Sequence, residues 1–162
     1  NLMVKNSKNL LIKLILLISI IALISAFFIE YILGHQPCNL CILERIPYFL
    51  AIIVILLNYK FIEFEKFFIL FLTIIFLFGT VLSLYHLGIE QGLIQESLVC
   101  DLKSGSNLLS KEEILKQLQE KSVSCKDVTF KMFGLSLTSY NILISILITF
   151  SSGKIYFNYD KN

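Results

Sequence analysis

The run FFILFLTIIFLFGTVLSLYHL, residues 67–87, contains no Asp, Glu, Lys or Arg. At about 1.5 Å of rise per residue, a helix of this length reaches about 30 Å, the thickness of a bilayer's hydrocarbon core. A soluble helix needs a polar face, and this run has none. The run therefore predicts a membrane-spanning helix.

Other apolar runs of similar character lie at residues 10–33, 42–57 and 132–150. The first could be read as a cleaved signal peptide, but it is longer than the roughly 7–15 residues of a typical signal core. We therefore count it as a span. The predicted fold is all-α, a membrane four-helix bundle that forms a single domain over residues 1–162.

Composition supports membrane lipid as the surroundings of this chain. Hydrophobic residues make up 56% of the sequence, against roughly 45–50% in soluble proteins. The formal net charge is only +2, and we find no basic stripe with interleaved aromatic residues. These features exclude nucleic acid as a partner.

The connections between the predicted spans gather the cysteines at one end of the bundle. Residues 34–41 and 88–131 form the two loops opposite the termini, and they contain Cys38, Cys41, Cys100 and Cys125. Each side carries seven Lys and Arg residues, so the total count does not orient the chain. Lys5, Lys8 and Lys13 precede or open the first span, which places the N-terminus inside and the cysteines outside.

The longer loop predicts a short amphipathic helix. Residues 110–113, SKEE, fit a capping box, and Ile114, Leu115 and Leu118 follow at helical spacing. Such a helix could lie on the bilayer surface or in solvent.

Cys38 and Cys41 form a CxxC motif directly after Pro37 and before an apolar helix. A helix N-terminus favours the thiolate form, which attacks disulfides. Half of a zinc site is an alternative, but Cys100 and Cys125 are 25 positions apart, whereas cysteine-only zinc sites usually repeat the short spacing. We expect no metal site.

Two other interpretations of the cysteines differ in strength. Attachment of c-type haem requires CxxCH, and Ile42 follows the motif here. Structural disulfides remain an alternative to catalysis, and four cysteines allow three pairings.

Charged residues near the motif favour a catalytic role for the cysteines over a purely structural one. Arg45 lies four residues after Cys41, so a guanidinium on the same helical face could stabilise a thiolate and a reduced anionic acceptor. Glu44 could pair with Arg45 or be a surface carboxylate. His86 could donate a hydrogen bond to an acceptor carbonyl or be an interfacial histidine. Glu90 is interpreted as solvated.

Electrons taken from thiols need an acceptor. The sequence contains no GxGxxG motif for a flavin or nicotinamide, no phosphate-binding loop, and too few suitably spaced cysteines for an iron–sulfur cluster. A lipid-soluble quinone between helices near Cys41 and Arg45 needs none of these.

Together these features resemble those of the DsbB family of disulfide bond formation proteins. The resemblance rests on PCNLCILER at residues 37–45, Tyr85-His86 near the end of the third run, the second cysteine pair, and Phe133-Gly134-Leu135 opening the fourth run. One departure is the absence of tryptophan, since Ser139-Tyr140 stands where an aromatic Trp is expected.

The resemblance implies redox-active disulfides Cys38–Cys41 and Cys100–Cys125. A reduced periplasmic DsbA-type oxidase would attack Cys100, the released Cys125 would attack Cys38, and Cys41 would face a quinone, ubiquinone or menaquinone, beside Arg45. Glu44 and His86 are further candidate quinone-binding residues. The quinol would leave to the respiratory chain, and the system keeps the bacterial periplasm oxidising. The implied location is the bacterial inner membrane, with cytoplasmic termini and periplasmic cysteine loops.

Two other functions remain open. A vitamin K epoxide reductase-like protein also couples a CxxC to a quinone, but its CxxC lies late in the bundle. A non-enzymatic membrane subunit would use its disulfides only to brace its loops.

Overall fold

A computed structural model describes residues 2–96, 100, 124–126 and 130–159, with the side chains of residues 2–7 left aside. The predicted amphipathic helix that begins near Ser110 lies outside these residues. Within them, the chain is mainly helical.

The secondary-structure elements follow one another in simple order. They are α1 (Leu2–Tyr31), α2 (Asn39–Leu43), α3 (Ile46–Lys60), a 3-10 turn (Ile62–Phe64), α4 (Glu65–Glu90), β1 (Lys131–Met132), β2 (Leu135–Ser136) and α5 (Leu137–Asn158). Four segments are long and apolar enough to cross a membrane: Lys8–Tyr31, Asn39–Lys60, Ile62–Glu90 and Leu137–Asn158. The prediction of an all-α fold with four membrane helices is confirmed.

The second span is broken near the cysteines, which the sequence interpretation did not anticipate. Helix α2 ends at Leu43, α3 begins at Ile46, and Pro47 lies in the first turn of α3. Proline has no N–H to donate to the carbonyl four residues earlier, and its ring crowds that carbonyl. The chain therefore turns at Glu44 and Arg45 before the long helix begins.

The fourth span begins later than predicted because residues 131–136 form a hairpin. Lys131 pairs with Ser136 and Met132 with Leu135, and the turn between them has positive φ at Phe133 (53°) and Gly134 (84°). Glycine adopts this left-handed conformation without steric cost. Hydropathy alone could not distinguish these apolar residues from the helix that follows.

The four long helices pack in sequence order. Helix α3 lies between α1 and α4, and α4 packs most extensively against α5. Phe76, Ala51 and Ile55 are fully buried between them, and the Phe76 and Tyr48 rings meet edge to face with centroids 5.6 Å apart. Large apolar side chains such as Leu147 face outward. Such an outer surface suits lipid.

An ion pair fastens the end of the bundle farthest from the cysteines. Lys8 Nζ lies 2.5 Å from Glu65 Oε2, and the Tyr159 hydroxyl donates to the same oxygen at 3.2 Å. Partial burial and the Glu65 carboxylate raise the pKa of Tyr159, so the phenol remains a donor at neutral pH. These contacts join α1, α4 and the end of α5.

Candidate functional site

Both cysteine pairs form disulfides at one end of the bundle. Cys38 and Cys41 are bonded with Cα atoms 5.1 Å apart, and Cys100 and Cys125 with Cα atoms 6.0 Å apart. The first pair flanks the start of α2. The second joins two points of the long connection between α4 and β1.

The two disulfides share one small apolar cluster. Cys38, Cys125, Leu40 and Ile89 are buried together, and Cys41 and Cys100 pack against them. The Asn39 side chain donates to the Cys100 carbonyl at 3.2 Å. The sequence placed the four cysteines at the same end of the bundle, and the structure brings the two pairs into one cluster.

The CxxC backbone supports a negative charge on Cys38. Cys38 is the N-cap of α2, and its Sγ accepts a hydrogen bond from the Cys41 N–H at 3.2 Å. An N–H directed at sulfur stabilises a thiolate more than a thiol. Reduction of this disulfide would therefore leave a nucleophilic sulfur at position 38.

His86, at the end of α4, is the centre of a buried polar network. Only 1% of the residue is exposed. Its Nε2 lies 3.5 Å from Cys38 Sγ, and its Nδ1 lies 2.9 Å from Glu44 Oε1 and 3.2 Å from Thr138 Oγ1. The Cys125 backbone also hydrogen-bonds to the imidazole. The ring thus touches both cysteine pairs.

Two carboxylates of this network correct the sequence interpretation. Glu44 is buried and lies on His86, and the carboxylate that pairs with Arg45 is Glu30, so both interpretations of Glu44 were wrong. Glu90 is not solvated, since its side chain is only 9% exposed and lies 3.8 Å from His86 Nε2. It accepts a hydrogen bond from Thr138 at 2.7 Å.

Arg45 lies at the break between α2 and α3. Its Nη1 is 2.5 Å from Glu30 Oε2 on α1, and its guanidinium lies 5.2 Å from the centroid of the Phe27 ring. A guanidinium carries five N–H donors, so one contact with Glu30 leaves others for a ligand. The salt bridge fixes the position of this charge beside the cysteines.

A cavity of about 630 Å³ connects these groups. Its walls are mostly apolar and come largely from α1 and α5, and they include Ile21, Ala22, Ile24, Phe28, Ile29, Leu137 and Ile144. The polar groups of its wall are concentrated at the cysteine end and include Cys41, Glu44, Arg45, His86 and Glu90. Pockets with an apolar body and a few convergent polar groups are typical of small-molecule sites.

Comparison with known proteins agrees with this geometry. The family model described as "Disulfide bond formation protein DsbB" matches residues 8–153. The chain belongs to the DsbB family. It is also 32% identical over 160 residues to the uncharacterised protein RP370 of Rickettsia prowazekii (strain Madrid E), covering 95% of this chain and 91% of that protein.

Membership of the DsbB family gives the site a chemical class. Two cysteine pairs at one end of a bundle of membrane-spanning helices fit a disulfide oxidoreductase that crosses the membrane several times. Five of the residues predicted from the sequence line one cavity: Cys38, Cys41, Glu44, Arg45 and His86.

Three further residues of this DsbB site were missed as participants. Glu30 and Thr138 were not considered, and Glu90 was assigned to solvent. The partners of Glu30 and Thr138 lie 15 to 52 positions away along the chain, so local spacing carried no signal for these two residues. A weak signal existed for Glu90, because it lies four residues after His86 and hence on the same helical face.

Proposed function

We propose that this DsbB protein reoxidises a reduced DsbA-type dithiol protein and passes the two electrons to a membrane quinone. The observation that carries the proposal is the position of the Cys38–Cys41 disulfide. It lies in the wall of a mostly apolar cavity among membrane-spanning helices, and it shares a buried cluster with the second disulfide.

The thiol chemistry begins at the Cys100–Cys125 disulfide. A thiolate of the dithiol protein attacks Cys100, forming a mixed disulfide and releasing Cys125 as a thiolate. The second thiolate of the dithiol protein then resolves the mixed disulfide and frees Cys100. Cys125 attacks Cys38 and releases Cys41, which requires little movement because Cys38 and Cys125 are buried in one cluster. Cys100 then attacks Cys125, which re-forms the second disulfide and leaves Cys38 and Cys41 as a reduced pair for the quinone to oxidise.

The cavity fits a quinone in both size and chemistry. Its apolar walls suit a ring with a hydrocarbon tail. Arg45 lies in the same wall, and its N–H groups beyond the contact with Glu30 can donate to a quinone carbonyl. The quinone supplies the electron sink, since it accepts two electrons and two protons and leaves as quinol. Overall, one dithiol becomes one disulfide for each quinone reduced.

Proton transfer is assigned to His86. Its Nδ1 can donate to Glu44 at 2.9 Å, and in the neutral ring this leaves the Nε2 lone pair toward Cys38 Sγ at 3.5 Å. A ring so placed can take a proton from the Cys38 thiol, with the Glu44 carboxylate stabilising the imidazolium. Because His86 also lines the cavity, the proton can leave with the reduced acceptor.

The same proposal sets the location and orientation. An oxidising role requires the cysteine end to face the periplasm, because cytosolic thiols are kept reduced. Lysines at the N-terminal end of α1, among them Lys8 and Lys13, support a cytoplasmic N-terminus. We assign the chain to the bacterial inner membrane with both termini cytoplasmic.

The test is oxidation of a reduced DsbA-type protein by the purified chain in detergent, with ubiquinone or menaquinone as the sole acceptor. Wild type is expected to turn over only when a quinone is present. Cys41→Ser is expected to reduce the rate to the uncatalysed level, and Arg45→Ala to weaken it. Arg45→Lys, which keeps the charge and loses the planar fork, separates charge from geometry.

Either quinone supporting turnover would sustain the proposal and identify the preferred acceptor. A dithiol protein that stays reduced with both quinones, although all four cysteines are intact, would contradict it. In that case a structural role for the disulfides would explain the cysteines better, and Cys41→Ser would lower only the stability of the chain.

A further inference from the structure

Two cysteine sulfurs and one imidazole lie close together at the wall of the cavity. The Sγ atoms of Cys38 and Cys41 and a ring nitrogen of His86 all lie within 4.8 Å of one another. Cys38 and His86 are buried, and Cys41 is partly exposed toward the cavity. Cysteine spacing alone predicts no metal site, but His86, 48 positions from Cys38, supplies a ligand that cysteine spacing does not reveal.

We propose that the reduced form of this site binds one thiophilic divalent cation, Zn²⁺, through Cys38, Cys41 and His86. The disulfide in the structure prevents metal binding, because the two sulfurs are bonded to each other. Reduction by a dithiol protein converts it to two thiols and makes both sulfurs available as ligands. The metal site therefore exists in only one redox state of the protein.

The distances agree with zinc geometry. With Zn–S near 2.3 Å and Zn–N near 2.0–2.1 Å, a tetrahedral site places sulfur and nitrogen ligands about 3.6 Å apart. Cys38 Sγ and His86 Nε2 are 3.5 Å apart already. Two cysteines separated by two residues have a spacing typical of zinc ligands, so Cys41 needs only to release its bond to Cys38.

The surroundings supply the outer contacts that zinc ligands require. Zinc-bound histidines almost always donate their other ring N–H to a carboxylate, a backbone carbonyl or water, and His86 Nδ1 faces the Glu44 carboxylate at 2.9 Å. The Cys41 N–H already donates to Cys38 Sγ at 3.2 Å. These contacts orient the imidazole and hold one ligand sulfur before any metal arrives.

Charge favours a cation at the same point. Glu44 and Glu90 both lie against His86, while the guanidinium of Arg45 is engaged by Glu30. Two thiolates would add further negative charge that a dication would offset. Glu90 is the candidate fourth ligand, since its Oε1 lies 3.8 Å from His86 Nε2, against about 3.3 Å between oxygen and nitrogen ligands of tetrahedral zinc.

Binding balances as an exchange of protons for metal. Zn²⁺ replaces the protons of the two thiols and any proton on the imidazole, and no electrons move. The consequence rests on the proposed function: a zinc-bound CxxC cannot re-form its disulfide, so excess zinc would stop turnover reversibly. Oxidised enzyme would be insensitive until its first reduction.

The experiment titrates Zn²⁺ alone into the full-length chain in detergent, after reduction with a phosphine and removal of the reductant. A Cys100→Ser/Cys125→Ser background removes the second pair as a competing ligand. One equivalent is expected to bind the reduced protein and none the oxidised protein, which needs no substitution at the site. Co²⁺ in place of Zn²⁺ should give the visible absorption of a tetrahedral thiolate complex.

Substitutions identify the histidine that serves as ligand. His86→Ala is expected to weaken binding more than tenfold, and Glu44→Gln about tenfold, the range for loss of an outer-shell partner. The matched control is His35→Ala, because His35 also lines the cavity but lies outside the three-residue cluster. If His86→Ala does not fold, His86→Gln serves the same purpose.

Two results would overturn the proposal. One is equal zinc binding by the oxidised and reduced forms, and the other is undiminished binding after His86 is replaced. Turnover in metal-free buffer reports on the proposed function separately. An enzyme that turns over with quinone yet ignores zinc when reduced would refute only the metal site, and an inactive enzyme that binds zinc would refute only the quinone reaction.

Discussion

Each end of the bundle buries carboxylates, but the two ends neutralise them differently. At the end that holds the chain termini, Glu65 meets the fixed charge of Lys8 and a phenol from Tyr159. At the cysteine end, Glu44 and Glu90 converge on a single imidazole. A lysine is cationic at every physiological pH, whereas a histidine gains and loses its proton there.

The difference indicates a structural role for the Glu65 end and a functional role for the His86 end. The Glu65 contacts join three helices, and the Lys8, Glu65 and Tyr159 side chains are partners of one another. The His86 network lies beside a disulfide and a cavity, where the proposed function would bring protons, electrons and a ligand. We therefore expect substitutions at the first end to change stability and substitutions at the second to change turnover.

The largest expected effect is that of His86→Gln on turnover. Removal of a positioned acid–base group typically costs about 10²-fold or more in rate, and the amide cannot take a proton from the Cys38 thiol. The rate of dithiol oxidation across pH should also lose its dependence in the range where a histidine titrates. A variant with wild-type turnover and pH profile would remove His86 from the chemistry.

Next in size is the loss of stability expected from Glu65→Gln. Lys8 would keep its charge in a partly buried position without a carboxylate, and the side chains of the pair are only 17% and 10% exposed. We expect the free energy of unfolding to fall by about 2 kcal/mol, less than for a fully buried pair. It would be measured by denaturant titration in mixed micelles.

The same variant should oxidise the dithiol protein at nearly the wild-type rate per folded molecule. Glu44→Gln is its counterpart at the cysteine end and should lower turnover with a smaller change in stability. Reversal of these two outcomes would mean that the ends do not divide stability and chemistry as their contacts indicate.

A smaller effect is expected from Ser136→Ala at the start of α5. Ser136 is the N-cap and accepts from the Ser139 N–H, and loss of such a cap costs about 1 kcal/mol. Thr138, two residues later, holds Glu90 and His86, so turnover should fall slightly as well. Ser136→Asn retains a capping side chain and should restore both measurements.

The smallest effects come from two helical glycines that test packing toward each end. A Cβ at Gly79 would lie 3.1 Å from the Pro47 ring, whereas one at Gly153 would lie 3.6 Å from Thr73. Alanine in place of glycine favours a helix by up to about 1 kcal/mol. Gly153→Ala should therefore stabilise the chain, and Gly79→Ala should lose that gain or destabilise it slightly. Thermal unfolding in detergent would distinguish them.

The sequence predicts the long helices well because apolar length is a local property. Residues 67–87 have no charge, and α4 contains all of them. Side-chain partners are not local: Glu44 and Glu90 find His86 and Thr138 only after helices pack. Their burial therefore could not be read from hydropathy or spacing.

The predicted helix boundaries were wrong where a turn or a hairpin lies inside an apolar run. Pro47 could have predicted the break in the second span. Because its nitrogen carries no hydrogen, it cannot donate to the carbonyl of Leu43, and α2 and α3 do not form one continuous helix. Gly134 was a similar signal for the hairpin before α5. In both places the sequence identified an apolar run, and the backbone conformation at its start was predicted wrongly.

The break before α3 also bears on the depth of Arg45 in a membrane. Helix α3 has 15 residues, or about 22 Å of length, which is shorter than the roughly 30 Å hydrocarbon core. A bilayer with one interface at Lys60 would therefore surround Arg45 at the depth of its acyl chains. Under the proposed function, the quinone concentration that sets the rate would then be its mole fraction in the detergent or lipid phase. Extra detergent at constant total quinone should slow turnover, although the quinone concentration in the whole sample is unchanged.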